Sequence, residues 1–261
     1  MDSPANVEYA LENAWDNASR RLNGIEATYD PITRRRLSAL GLGRGWACLE
    51  VGAGAGSVAR WMSAQVGSEG TVVAADLDTR LLTEMPENVQ VRRLDLRADE
   101  LPEAAFDLIH TRLVLGHLPD PGLVLDKLVS ALRPGGWLLL EEADSIGSDV
   151  VDEEGKAHAD AMRASFDALT VVGDVDLGRK LPRMVRERGL GEVGVECEVS
   201  FLEGGAPELG WLGLSFDQLN ARSAEPILDQ DTVDRWKDLL AQPGRWLPAL
   251  GIIATRARRA S

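Results

Sequence analysis

The chain has 261 residues, 44% of them hydrophobic, enough for one large α/β core or a core with an inserted cap. Acidic residues outnumber basic ones 42 to 28, and the formal charge of −14 repels a phosphate backbone, which argues against a nucleic-acid partner. Two cysteines, Cys48 and Cys197, are too few for a disulfide framework and lack zinc-site spacing, so no structural zinc is expected.

The first residues carry neither a basic region nor an apolar run. No stretch reaches the roughly 20 apolar residues that span a bilayer. The expectation is a soluble cytoplasmic protein with no membrane partner. Residues 7–40 are polar with helical spacing, and Asp30-Pro31 predicts a break into two helices. Residues 1–45 are thus an N-terminal helical extension or cap. The main domain is expected over 46–261, with helical cap insertions within about 145–245.

From residue 46 strands and helices alternate. Residues 46–51, 71–75, 89–94, 106–109 and 137–140 read as strands. Residues 58–66 and 123–132 read as helices, the second closed by Pro134-Gly135-Gly136. Such alternation predicts a parallel sheet covered on both faces. Beyond Asp144 the spacing loosens. Helices are expected over 153–172, 181–188, 207–222 and 232–241, and strands over 193–201 and 246–255.

The most informative segment is Glu50-Val51-Gly52-Ala53-Gly54-Ala55-Gly56. A glycine turn between strand and helix brings backbone close to a ligand and presents free helix N–H groups. The spacing is G-x-G-x-G, not the G-x-G-x-x-G of dinucleotide sites. Glu50 would oppose a pyrophosphate and suits a ligand bearing a positive amino group and a sulfonium. Asp76 follows the next strand, placed to accept ribose hydroxyls, and Asp95 follows the third, placed for an exocyclic adenine amine. In open α/β sheets ligands bind beyond the carboxyl ends of the strands.

Glu50 to Gly56, Val73 to Asp76, Leu94-Asp95-Leu96, Phe106 to Arg112 and Leu132 to Gly136 follow one another in the order of five family motifs. The chain resembles class I S-adenosylmethionine-dependent methyltransferases, in particular the small-molecule group common in actinomycetes. The resemblance implies a Rossmann-like fold, a seven-stranded, mostly parallel sheet with helices on both faces and a helical cap. It implies S-adenosyl-L-methionine as cofactor and S-adenosyl-L-homocysteine as product. Glu50, Gly52, Ala53, Gly54 and Gly56 would meet the methionine part. Asp76 would hold the ribose, Leu77 would lie against the adenine, and Asp95 and Leu96 would read its edge. His110, Thr111 and Arg112 would lie at the methionine end.

Methyl transfer chiefly needs alignment and exclusion of water, with a base only for a protonated, non-acidic nucleophile. His110 and His117 are the candidate bases. Tyr29, Asp144, Phe166 and Trp211 are candidate contacts to a small-molecule substrate. The expected reaction is metal-independent methylation of an O, N or C nucleophile on a metabolite or natural product. The alternative is a cofactor-binding enzyme of this fold that catalyses a cyclisation or decarboxylation. A homodimer is compatible with the sequence.

Overall fold

The computed structural model describes residues 11, 15–147, 152–170 and 174–261. Its chain order is α1 (Ala18–Ala39), β1 (Ala47–Val51), α2 (Ser57–Val66), β2 (Thr71–Asp76), β3 (Val89–Arg93), β4 (Phe106–Arg112), α3 (Pro121–Ala131) and β5 (Leu132–Asp144). Then come α4 (Lys156–Thr170), α5 (Leu177–Glu187), β6 (Gly191–Glu198), β7 (Phe201–Glu203), α6 (Gly210–Arg222), α7 (Gln230–Ala241), β8 (Trp246–Pro248) and β9 (Gly251–Arg258).

Seven strands form one sheet in the order β3-β2-β1-β4-β5-β9-β6. The first five run parallel, while β9 is antiparallel to both β5 and β6. Alternate residues face opposite sides, as strand geometry requires. Leu49, Ile109, Leu138 and Leu140 pack with Leu125 and Leu128 of α3 and Leu181 and Val185 of α5. Cys48, Leu108 and Leu139 face the other way, onto Leu37 of α1 and Val58 and Met62 of α2. The order reverses between β1 and β4, so the crevice of such a sheet opens beside the loop that leaves β1.

A further apolar cluster reaches the sheet at Ile252 of β9. It joins Ile25, Tyr29 and Ile32 of α1 to Met162 of α4, Trp211 and Phe216 of α6, and Trp236 of α7. Burying each large side chain contributes about 1.5–3 kcal/mol, so these helices cohere.

Three local expectations are corrected. Pro31 does not end a helix, since α1 runs unbroken through it. The missing N–H costs about 3 kcal/mol. Asp30, Thr33 and Arg36 offset that by bonding to the sheet and to Arg34. The strand expected over 246–255 is two strands: β8 pairs with β7 in a separate ribbon, and β9 enters the sheet. Likewise the stretch 193–201 divides between β6 and β7. Part of the helical reading of 7–40 and of 153–172 falls on residues outside those described.

Candidate cofactor site

The loop after β1 folds through three glycines at positive φ: Gly52 at 71°, Gly54 at 57° and Gly56 at 89°. Side chains rarely adopt that backbone region. Gly52 also has no room for one, because an added Cβ would lie 2.2 Å from a methyl of Val114. The amides of Gly52 and Ala53 donate to the Ala75 carbonyl at the end of β2, at 2.8 and 3.1 Å. The loop is thereby pinned against the second strand, and α2 starts at its far end.

Asp76 is half-buried beside this loop. Its carboxylate accepts from the amides of Gly54 (2.8 Å) and Asp78 (3.0 Å). Burial raises its pKa above the ordinary carboxylate value. Each oxygen keeps a lone pair for a hydroxyl donor. Leu77, next along, is 36% exposed. Asp95 lies near the end of β3, where the Leu94 amide donates to the Asp76 carbonyl. Asp95 itself accepts from the Arg97 guanidinium at 2.8–2.9 Å, and that bond holds its pKa low. Leu96 is buried in the core beneath.

Glu50 is not at the open end of the crevice. It is 3% exposed, and His110 Nδ1 lies 2.6 Å from its Oε2. The other ring nitrogen of His110 lies 3.1 Å from Glu141 Oε2. Glu141 also accepts from Thr33 Oγ1 (2.5 Å) and Arg36 (2.7 Å) of α1. Arg112 donates to Thr33 (3.0 Å) and Asp30 (2.9 Å). This interior clamp ties α1 to β1, β4 and β5. Burial disfavours the charged imidazole, but the charge of Glu50 and the bonds of both carboxylates outweigh it and raise His110 to about 9. Burial likewise opposes ionisation of Glu141, yet His110, Arg36 and Arg112 hold it at about 2. Glu50, with fewer compensating partners, is raised by burial.

These contacts correct the reading of His110 as a base, since both its nitrogens face carboxylates and it is fully buried. His117 is half-buried, and burial followed by the Arg21 charge lowers it to about 4, leaving it neutral near pH 7. Thr111 is fully buried, and its hydroxyl has no hydrogen-bond partner among the described residues. Among the expected substrate contacts, Asp144 is 1% exposed and bound to Arg179 at 2.6 and 2.8 Å. The Tyr29 hydroxyl donates to the Leu250 carbonyl (2.9 Å), and its ring meets Trp211 edge-on with centroids 5.8 Å apart. Trp211 Nε1 donates to Thr28. Phe166 is buried on α4. All four are thus buried, and the polar atoms of Tyr29, Asp144 and Trp211 are bound to neighbours within the protein, as buried polar groups require.

Glu26 escaped the sequence reading, whereas Glu142 was legible there as a polar contact to substrate. Glu26 of α1 sits at the start of α2, where the Ser57 amide donates to it at 3.3 Å, and Leu22 one turn earlier faces Gly54. Glu26, Asp30 and Thr33 recur at i, i+4 and i+7, a polar stripe along one helix face that signals a partner other than water. Glu142 accepts from the amides of Val114, Leu115 and Gly116 at 2.8–3.2 Å, holding the loop that presses Val114 onto Gly52.

A methyltransferase-domain family model matches residues 25–190. The methyltransferase str2 of Strobilurus tenacellus is 32% identical over 196 residues, covering 72% of this chain and 66% of that protein. The chain spans 54–66% of the length of this and three further curated relatives. A SAM-dependent methyltransferase from Aquifex aeolicus has the same fold, with a TM-score of 0.53 at 16% identity over 94% of this chain and 98% of that one. The [4+2]-cyclase SpnF also shares it, with a TM-score of 0.51 at 15% identity over 88% and 85%. Matched over well more than half its length, the chain belongs to the methyltransferase-domain family, whose cofactor is S-adenosyl-L-methionine.

Proposed function

We propose that the protein transfers a methyl group from S-adenosyl-L-methionine to an O, N or C nucleophile of a small molecule, such as a metabolite or natural product, without a metal. The observation that carries this reading is the half-exposed Asp76 carboxylate, fixed by the Gly54 amide at the end of β2. The residues present fit the cofactor. Asp76 would take the ribose hydroxyls, the exposed Leu77 would border the adenine, and the glycine backbone would underlie the amino-acid arm. The cofactor supplies an activated methyl on sulfur. The chain's contribution is then alignment and exclusion of water, with the cap formed by α1, α4, α6 and α7 closing the crevice. The charge of −14 favours a small acceptor over nucleic acid.

Fold and cofactor do not fix the chemistry, and the cyclase among the structural neighbours illustrates that. Calorimetric titration with S-adenosyl-L-homocysteine tests the site, with binding expected in the wild type and lost in Asp76→Ala. Mass analysis of acceptors turned over with S-adenosyl-L-methionine tests the reaction. A gain of one methylene unit supports transfer, and an isomerised or decarboxylated product supports the alternative.

A further inference from the structure

Glu50 is the acid that the glycine motif offers to a cationic ligand, yet its carboxylate is turned inward to His110 and is 3% exposed. A different carboxylate stands at the loop. Glu26 lies against the last turn of the glycine segment, taking the Ser57 amide at 3.3 Å. It makes no salt bridge among the described residues. The guanidinium of Arg112, whose charge lowers the Glu26 pKa, has its two amino groups on Thr33 and Asp30.

The position of Glu26 is imposed by the clamp. Thr33 and Arg36 bind Glu141, and Asp30 binds Arg112, so the face of α1 bearing Glu26, Asp30 and Thr33 is held toward the sheet. One turn before Glu26, Leu22 rests 3.4 Å from the Cβ position of Gly54. A partly desolvated carboxylate there lacks a full cation, and a charge-assisted bond in such a setting is strong.

We infer that Glu26 binds the α-ammonium group of the cofactor, and that the Thr33/Arg36–Glu141–His110–Glu50 clamp is the positioning device that sets α1, and with it Glu26, over the glycine loop. The inference rests on the proposed cofactor reading and moves the cation-binding role from β1 to α1. Burial raises the Glu26 pKa, and an ammonium beside the carboxylate would favour its charged form. Glu26 is thus a binding residue, whereas Glu50, His110 and Glu141 act through it.

The test is calorimetry on the full chain with two probes, S-adenosyl-L-homocysteine and 5′-methylthioadenosine, which keeps the nucleoside and lacks the amino acid. Glu26→Gln should weaken S-adenosyl-L-homocysteine by about 10- to 100-fold, the value of a charged hydrogen bond, and leave 5′-methylthioadenosine unchanged. Glu26→Asp should recover part of the loss. Unchanged 5′-methylthioadenosine binding also certifies that the variant is folded. Equal weakening of both probes would mean a merely structural role and would overturn the inference. Unchanged or tighter S-adenosyl-L-homocysteine binding would overturn it too, the latter marking Glu26 as an occupant that the cofactor displaces. Wild-type protein that binds neither probe would instead sink the cofactor reading itself.

Discussion

His110 Nδ1 lies 2.6 Å from Glu50 Oε2 inside the sheet, with Glu141 on the opposite ring nitrogen. The residue expected to move protons is therefore held between two carboxylates, with its pKa raised to about 9. His110→Leu would leave both carboxylates facing a neutral side chain. Removing one partner from a buried charge network is expected to cost about 3–5 kcal/mol. Urea unfolding at neutral pH measures it, and a loss near zero would show that the network is not charged.

The same group sets a pH dependence. Its folded pKa of about 9 lies above the ordinary 6.5, so the fold keeps a proton that the unfolded chain releases. This stabilisation is full below about pH 6.5 and is lost as the pH rises through about 9. The stability difference between wild type and His110→Leu should shrink over that interval. A constant difference would contradict the assignment.

Glu142 is shifted in the same direction, for a different reason. Burial raises its pKa to about 7 against an ordinary 4.5, even though three amides favour its charge. The folded protein then holds a proton that the unfolded chain has lost, so stability from this group falls as pH rises from 4.5 to about 7. Glu142→Gln should flatten that fall in unfolding curves taken across the interval. A parallel slope in the variant would place the titration elsewhere.

Gly52→Ala puts a Cβ 2.2 Å from a Val114 methyl at a φ of 71°. Backbone strain of this kind costs about 1–3 kcal/mol, and either the loop or Val114 must move. Affinity for S-adenosyl-L-homocysteine should fall by about tenfold or more in calorimetry. Wild-type affinity would mean that the loop does not underlie the ligand.

Trp211→Ala removes a buried ring from the packing of α6 on α1, along with its edge contact to Tyr29 and its bond to Thr28. The expected loss is about 3–5 kcal/mol of stability. Thermal melting checks this, and binding of 5′-methylthioadenosine should persist below the transition. A rise in acceptor KM without a change in melting temperature would restore Trp211 as a pocket wall.

Residues near in sequence carried much of the fold. The alternation of strands and helices from residue 46 to residue 144 was legible because apolar periodicity is a local property. The glycine turn was legible because positive φ constrains residue type at the position itself. Asp76 was placed by its strand. The boundary between β8 and β9 was missed although Pro248 and Gly251 flank it, because the apolar run continues across it and the split follows from which partner strands are available.

The charges divide in the same way. Sequence by itself determined that Glu50 ends a strand before a glycine loop, and that His110 ends another. Only the tertiary structure decided that the parallel register puts Glu50 beside His110, with Glu141 across from it, so that the three neutralise one another indoors. The continuity of α1 through Pro31 has the same origin. A local rule predicts a break there, but Asp30, Thr33 and Arg36 reach partners 82, 108 and 105 residues away. Bonds to residues so distant in the chain are set by packing, which no window along the sequence contains.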